Sequence, residues 1–519
     1  MEIPIPVTND PAFDRRTTLM MAAFALGGSA FGGIAAATGP VSDIVDLDAV
    51  SLRDMIRSRK LSCVEVLNAY LDQIETLNPK VNAIVSLQDR PGLVKQAEAR
   101  DAQLRRKEAV GLLHGFPHAV KDLIPVAGLP FTQGSPIFKG TVAGTDAVPA
   151  ERLRKAGVIF VGKTNTPEFG LGSHTFNPVF GATRNPYDPT RSAGGSSGGA
   201  AVALATRMVP LADGSDYGGS LRNPAGWNNV FGFRPSIGRV PAPGKEVWLP
   251  SMGVVGPMAR NVRDLALLLA VQAGFDARAP LSLESSGTQF AASLRTDPKG
   301  KRIAWAGDFG GKLPYEAGVL DVCREALKSF EALGCEVEEA CPDYPVDRMW
   351  DSFVKLRGWQ QGGALLDFYR DPARQALLKP EARYEVEQGL ALSAFDVTAH
   401  SVVRSEWSQA VRKFFRRYDF WIMPTAQTFP FGIDERWPTE IAGRKMQSYH
   451  EWMKAVCLVT MSGCPSLAVP AGFGSNGLPM GIQIIAPVQA DMEALRLAHA
   501  YEVASQSRIS RPPPMLRRV

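Results

Sequence analysis

The 519-residue sequence predicts an α/β fold. In its first half, short apolar runs at 116–125 and 158–161 are broken by Gly and Pro, which is typical of strands that lead into helices. Further along, the segments 302–306, 316–333 and 336–339 read in turn as a strand, an amphipathic helix and a charged edge strand. A strand–helix–strand unit of this kind is typical of an α/β sheet.

The composition indicates a folded protein with a large core. Hydrophobic residues make up 45% of the chain and charged residues 21%, close to the averages for globular proteins. Length alone does not fix the number of domains, since enzymes with large mixed sheets reach this size as one unit. The net charge of +5 is small and no dense Lys/Arg run occurs, so nucleic acid is not an expected partner.

Cysteine and histidine usage argues against a metal centre. No C-x-x-C pair is present, and the six histidines lack the spacing of a metal site. We therefore expect no metal, and free thiols that are mostly buried. The cysteines are Cys63, Cys323, Cys335, Cys341, Cys457 and Cys464.

The N-terminus resembles an export signal. Arg15 and Arg16 precede an apolar stretch at 19–36 that is too rich in Gly and Ala for a membrane span and ends in three alanines. We interpret residues 1–37 as a twin-arginine signal, which predicts a periplasmic or secreted protein of residues 38–519 and no stable membrane insertion. The alternative is an ordinary N-terminal helix or uncleaved anchor, and without export the protein would be cytoplasmic.

Helices follow from residue 51 to about 106. Ser62 and Glu65 form a capping box, the signature of a helix start. The apolar positions behind it share one helix face, namely Val64, Leu67, Leu71 and Ile74. Near the other end of the chain, 466–470 and 481–485 read as short strands before a last helix at 491–505.

A glycine-rich run at 194–199 contains Ser196 and Ser197. A phosphate-binding loop would continue with Lys and then Ser or Thr, whereas two alanines follow here, so nucleotide binding is disfavoured. A flexible linker would not lead into the apolar run at 200–211. The run therefore predicts a tight turn where the backbone approaches another group closely.

A second serine, Ser220, follows two glycines. Successive glycines allow several backbone N–H groups to point at one spot, which is the geometry that an oxyanion requires. Alone, the D-x-G-G-S pattern at 216–220 is more typical of a turn than of an active site. Its combination with the first glycine run favours an active site.

Lys121 lies in the apolar, strand-like run 116–124. If it is buried, lost hydration lowers the pKa of its amine, and the neutral amine could accept a proton from a serine. The alternative is a surface lysine paired with Asp122, whose aliphatic stem covers apolar surface. This segment alone favours the surface lysine.

Together these motifs resemble the amidase signature family. The order and spacing of three segments match that family: 115–122, 194–199 and 216–220. Three flanking segments are also similar to it: 163–169, 256–260 and 477–481. The resemblance covers residues 45 to 505 and implies one large α/β domain, with a twisted mixed sheet covered by helices and a helical segment at about 45–110 packed outside it.

The resemblance also implies residue roles. Ser220 would be the nucleophile, Lys121 the base, and Ser196 the bridging serine after a cis peptide bond at Gly195. Ser197 would orient Lys121, while Asp216 and Arg222 would hold the loop rather than touch substrate. The oxyanion hole would consist of the backbone N–H groups of Tyr217, Gly218, Gly219 and Ser220.

The implied activity is hydrolysis of a carboxylic amide through an acyl-enzyme, without a cofactor. Tyr217, Trp227 and Asn228 depart from the common family pattern and should reshape the pocket. Two segments, 350–370 and 429–452, are rich in aromatic residues that are more often core than pocket, and from them we hypothesise a hydrophobic or aryl substrate. These aromatics are Trp350, Phe353, Trp359, Phe368, Tyr369, Phe429, Phe431, Trp437, Tyr449 and Trp452.

Alternative functions remain open at the level of sequence. Carbamates, esters and anilides present the same carbonyl to the same nucleophile. The family also includes the glutaminase subunit of the tRNA amidotransferase, but an export signal argues against that role because its partners are cytoplasmic. A binding protein without activity would not require an intact triad. Many relatives are dimers, so a homodimer is compatible with the resemblance.

Overall fold

The computed structural model describes residues 41–249 and 251–516. The predicted export signal at 1–37 lies outside these residues and stays a prediction. Within the described ranges, none of the helices combines the length and apolar character that a membrane span requires.

An eight-stranded mixed sheet forms the core of the described part of the chain. The strands of the described residues, within this sheet and outside it, are β1 (Ile84–Val85), β2 (Pro117–Lys121), β3 (Ile159–Thr164), β4 (Phe176–Asn177), β5 (Gly181–Ala182), β6 (Ala212–Asp216), β7 (Phe231–Arg234), β8 (Val254–Ala259), β9 (Arg302–Trp305), β10 (Glu336–Glu339), β11 (Phe420–Pro424), β12 (Glu440–Ile441), β13 (Arg444–Lys445), β14 (Ser466–Phe473) and β15 (Pro479–Ile485). The large sheet has the order β10-β9-β11-β15-β14-β7-β8-β6. Strands β10, β9 and β11 are parallel, and the remaining pairs are antiparallel.

The prediction of an α/β fold is confirmed, including the charged edge strand. Strand β10 lies at one edge of the large sheet, where its glutamates keep their contact with water. The C-terminal strands are longer than predicted, because the β14/β15 pairing continues past an irregularity between Pro470 and Gly472.

Helices cover the sheet. They are α1 (Ala49–Arg57), α2 (Cys63–Val81), α3 (Arg90–Arg105), α4 (Val148–Ala156), α5 (Gly198–Ala205), α6 (Arg222–Trp227), α7 (Val262–Gln272), α8 (Val319–Ala332), α9 (Val346–Arg357), α10 (Gly363–Arg370), α11 (Pro372–Gln375), α12 (Pro380–Leu390), α13 (Ala394–Phe414), α14 (Lys454–Ser462) and α15 (Asp491–Ile509). A π-helical turn at Gly358–Gly362 joins α9 to α10.

The predicted helix starts are confirmed where side chains cap them. Ser62 and Glu65 form the capping box of α2. Helix α8 begins at Val319 rather than at 316, because Gly318 has a φ of 87° and cannot continue a helix backwards. All six cysteines are free and five of them are buried, as expected; Cys341 is partly exposed.

A small sheet with the order β1-β3-β2 lies beside the large one. All five residues of β2 are buried. Asp213 on β6 accepts a hydrogen bond from the backbone N–H of Lys121 at the end of β2, at 2.9 Å. Strand β2 and the edge strand β6 are thereby held together.

Candidate active site

The amine of Lys121 lies among three serine hydroxyls in the protein interior. Its side chain is fully buried. Lys121 Nζ lies 2.8 Å from Ser196 Oγ, 2.8 Å from Ser197 Oγ and 3.0 Å from Ser215 Oγ. The structure thus brings two of the predicted serines to the lysine.

The surface-lysine alternative is wrong. Asp122 does not pair with Lys121: its carboxylate accepts the hydroxyl hydrogen of Thr132 at 2.5 Å and lies 3.9 Å from Lys163 Nζ. The residues of β2 alternate in direction, and both faces of this strand are covered, so the lysine has no route to solvent.

Burial determines the protonation of Lys121. It lowers the pKa of the amine from 10.5 to about 7, while the negative charges of Asp216 and Asp213 act in the opposite direction. At neutral pH a large part of the amine is therefore unprotonated and able to accept a proton.

The glycine run forms a close-packed turn, as predicted. The peptide bond between Gly195 and Ser196 is cis. A Cβ atom at Gly199 would lie 2.4 Å from the backbone nitrogen of Asn165, so only glycine fits there. Helix α5 begins at Gly198, directly after the two serines.

The second serine motif packs against the first. Ser197 N–H donates to the carbonyl oxygen of Ser220 at 3.2 Å. Ser196 and Ser220 line the same cavity and are 2% and 8% exposed, so Ser220 has the greater access to a ligand. No hydrogen bond joins the two hydroxyls within the described residues.

Asp216 fixes the turn that carries Ser220. Its carboxylate pairs with Arg222 at 2.9 Å and Arg234 at 3.3 Å, and all three side chains are fully buried. Burial alone would raise the pKa of Asp216, but the two guanidinium groups hold it well below its usual value. Asp216 and Arg222 thus occupy the supporting position predicted for them.

The predicted oxyanion donors are not equivalent. The N–H of Gly219 donates to Asp216 Oδ1 at 3.0 Å and so takes part in holding the turn. In the described part of the chain, the N–H groups of the other three predicted donors, Tyr217, Gly218 and Ser220, donate to no protein acceptor. These three groups are therefore the ones available to an acceptor beside Ser220.

The cavity above Ser220 has a volume of about 450 Å³. Its walls include Leu123 and Phe169 and many residues of the stretches 237–249 and 251–255. Tyr217 also lines it, packs its ring 4.8 Å from the Arg357 guanidinium and donates its hydroxyl hydrogen to Gln360 at 2.7 Å. The prediction that Tyr217 reshapes the pocket fits this position.

The ten aromatic residues taken as pocket candidates do not line the cavity. Trp452 and Phe431 instead pack in the core with Trp227, which stacks on Trp452 at 5.6 Å. Trp227 and Asn228 are likewise outside the lining, although both depart from the family pattern. The Asn228 amide donates to the carbonyl oxygen of Ala193 at 2.8 Å and so supports the glycine run from behind.

Three residues near Lys121 were not predicted from the sequence as part of the site. Ser215 provides the third hydroxyl, and Asp213 and His118 form a buried pair at 2.8 Å. Asp213 and Ser215 both lie in β6, whose sequence Ala-Asp-Gly-Ser-Asp carries no local pattern that points to Lys121. In the described residues, no group of three or more His, Cys, Asp or Glu side chains is placed to hold a metal ion.

Comparison with known proteins connects this geometry to a family. A profile of the family described as Amidase matches residues 65–495. The chain is 35% identical to an acylamidase from Rhodococcus erythropolis, over 88% of this chain and 95% of that protein. It is 33% identical to one of the subunits of the glutamyl-tRNA(Gln) amidotransferase from Acidothermus cellulolyticus, over 91% and 97%. The solved structure of a bacterial aryl acylamidase matches with a TM-score of 0.85 and 30% identity, over 93% and 100%.

Proposed function

This chain belongs to the amidase family and is an amide hydrolase, and we propose that it cleaves aryl or other apolar amides through an acyl-enzyme on Ser220. Ser196 and Lys121 form the proton relay. The observation that carries this proposal is the buried amine of Lys121, whose pKa is lowered to about 7 and which lies 2.8 Å from Ser196 Oγ. Ser196 lines the same cavity as Ser220.

Acylation follows from this arrangement. Neutral Lys121 accepts the proton of Ser196, and Ser196 accepts the proton of Ser220 as its oxygen bonds to the amide carbon. The carbonyl electron pair moves to oxygen, and the N–H groups of Tyr217, Gly218 and Ser220 stabilise the oxyanion. When the oxyanion collapses, the C–N bond breaks, and the relay returns its proton to the leaving nitrogen.

Deacylation uses the same groups. Water replaces the amine, gives a proton to the Ser196–Lys121 relay, and attacks the ester carbon. Collapse of the second oxyanion breaks the bond to Ser220, which regains its proton from the relay. The carboxylic acid leaves, and the enzyme returns to its starting state.

The cavity supports an apolar substrate. Of the charged residues that line it in the described ranges, Asp216 is paired with two arginines and Arg357 with Glu385, at 2.7 Å. Glu246 accepts from the backbone N–H groups of Trp248 and Leu249. A zwitterionic substrate such as glutamine would need an available cation and anion, so the glutaminase role is disfavoured. The relative described as an acylamidase supports the same choice.

A substrate panel tests the proposal. The purified protein is assayed with an anilide, an aryl carbamate, an aryl ester, acetamide and glutamine, beside Ser220→Ala and Lys121→Ala. We expect the anilide to be cleaved far faster than acetamide or glutamine, and both variants to lose about 10³-fold or more in kcat. Ser505→Ala is the matched control, since this buried serine donates within α15 to Tyr501 and should retain full activity. Full activity of Ser220→Ala would refute the assignment of the nucleophile, and preference for glutamine would refute the substrate class.

A further inference from the structure

A buried histidine and aspartate lie directly behind the lysine. His118 Nε2 and Asp213 Oδ2 are 2.8 Å apart, and their side chains are 1% and 0% exposed. The other carboxylate oxygen, Asp213 Oδ1, accepts the backbone N–H of Lys121 at 2.9 Å. Neither side chain lines the cavity, so the pair contacts Lys121 but not a ligand in that cavity.

We propose that Asp213, oriented by His118, is a positioning residue for Lys121: it holds the lysine backbone and supplies a negative charge that makes the amine more basic. The inference rests on the proposed function, because it assumes that Lys121 accepts the proton. His118 on β2 and Asp213 on β6 form a side-chain link between these two strands, beside the contact of Lys121 Nζ with Ser215 Oγ.

Two carboxylates, those of Asp216 and Asp213, act on the amine of Lys121, and the charge of Asp213 is less offset by nearby cations. On β6, Asp216 also acts on the amine, but Arg222 and Arg234 offset its charge. Within the described residues, no arginine or lysine forms an ion pair with Asp213. The titratable side chain that pairs with it there is that of His118.

Two further charged side chains, Lys163 on β3 and Asp122 directly after β2, lie near this cluster. Lys163 on β3 is buried, lies 3.9 Å from Asp122, and has its own pKa lowered to about 8 by burial, against the opposing effects of Asp122 and Asp213. Lys163 is therefore a second cation that Asp213 influences. No seryl or threonyl hydroxyl around Lys121 carries a charge, so removal of the Asp213 charge should act mainly on the two lysines.

The first test is Asp213→Asn. The amide oxygen still accepts from Lys121 N–H, and the amide NH₂ faces His118, whose Nε2 accepts in the other tautomer. The variant thus removes the charge and keeps the shape. Because a lost anion lowers the pKa of Lys121, the acid limb of kcat/KM should move to lower pH by about 0.5 to 1 unit.

Asp264→Asn is the matched control for this variant. Its carboxylate is equally buried, but it accepts from the backbone N–H groups of Ala49 and Val50 at the start of α1. The limb should not move in this control. A limb that is unmoved in Asp213→Asn, or that moves to higher pH, overturns the proposal.

The second test compares two replacements of His118. Gln places a donor near the position of Nε2, whereas Val fills the strand position without a donor. We expect His118→Val to lose about 10²-fold in kcat with little change in KM, and His118→Gln to stay within about tenfold of the wild type. Equal losses in the two variants, or a loss confined to KM, would contradict an orienting role. This comparison remains decisive if Asp213→Asn does not fold.

The pH profile of the wild type distinguishes a failure of the proposed function from a failure of the inference about Asp213. If the wild type shows no acid limb, or if Lys121→Ala keeps full activity, the proposed function fails and the inference with it. If the wild-type limb is present and depends on Lys121, but Asp213→Asn or the His118 pair does not behave as expected, only the inference fails.

Discussion

The pH dependence of hydrolysis should report the buried lysine directly. Burial lowers the pKa of Lys121 from 10.5 to about 7. With that value, about half of the amine is neutral at pH 7, about a tenth at pH 6 and about a hundredth at pH 5. Because the relay needs the neutral amine, kcat/KM should rise with pH, fall about tenfold per unit below pH 7, and level off above pH 8.

The assay is kcat/KM for a chromogenic anilide from pH 5 to 9.5 at constant ionic strength. Thermal unfolding at each pH ensures that the limb reflects titration and not denaturation. Lys121→Ala is the control, and its residual rate should lack the limb. Two results would refute the reasoning: a limb above pH 9, which would mean an ordinary, solvated lysine, or a rate that stays flat down to pH 5.

Three further substitutions probe the structure around the site. Ser215→Ala removes one hydroxyl from Lys121 Nζ and should lower kcat about tenfold, less than Lys121→Ala, in steady-state kinetics; an unchanged kcat would rule out its contribution. Trp227→Ala empties the buried stack on Trp452 and should cost about 3 to 5 kcal/mol in denaturant unfolding; a loss below about 1 kcal/mol would mean that the stack does not stabilise the core. Ser62→Ala removes the α2 cap and should cost about 1 kcal/mol in the same measurement, whereas no loss would show that the cap is replaced by water.

Elements with strong local signals could be predicted from the sequence. The capping box of α2 is satisfied by neighbouring side chains, so the helix start needs no tertiary information. The strand at 302–306 and the charged edge strand at 336–339 also follow from local pattern. The three catalytic motifs were found because their residue types and order are specific, not because any one of them is diagnostic alone.

The burial of Lys121 could not be predicted from its own segment. Whether a lysine in an apolar strand reaches solvent depends on what covers the strand, and here β6 supplies that cover from 92 residues away. The same separation hid Asp213 and Ser215, which have no local signal that connects them to Lys121. A strand pairing between distant segments decides the protonation of the base.

Which residues line the pocket could not be predicted, for a related reason. Aromatic residues at 350–370 and 429–452 look alike in sequence whether they line a cavity or pack against each other. In the structure Trp452 and Phe431 surround Trp227 in the core. The cavity is instead lined in large part by the Gly- and Pro-rich stretches 237–249 and 251–255, which resemble an ordinary loop in sequence.

The central claim is that Ser220 is a nucleophile activated through Ser196 and Lys121. It is tested most directly by reaction with a fluorophosphonate probe, followed by mass spectrometry of the labelled peptide, in the wild type, Ser220→Ala and Lys121→Ala. The account predicts one phosphonyl group on Ser220, none in Ser220→Ala, and a labelling rate in Lys121→Ala that is lower by about 10³-fold. A label on another residue, or equal labelling of Ser220→Ala, would contradict it.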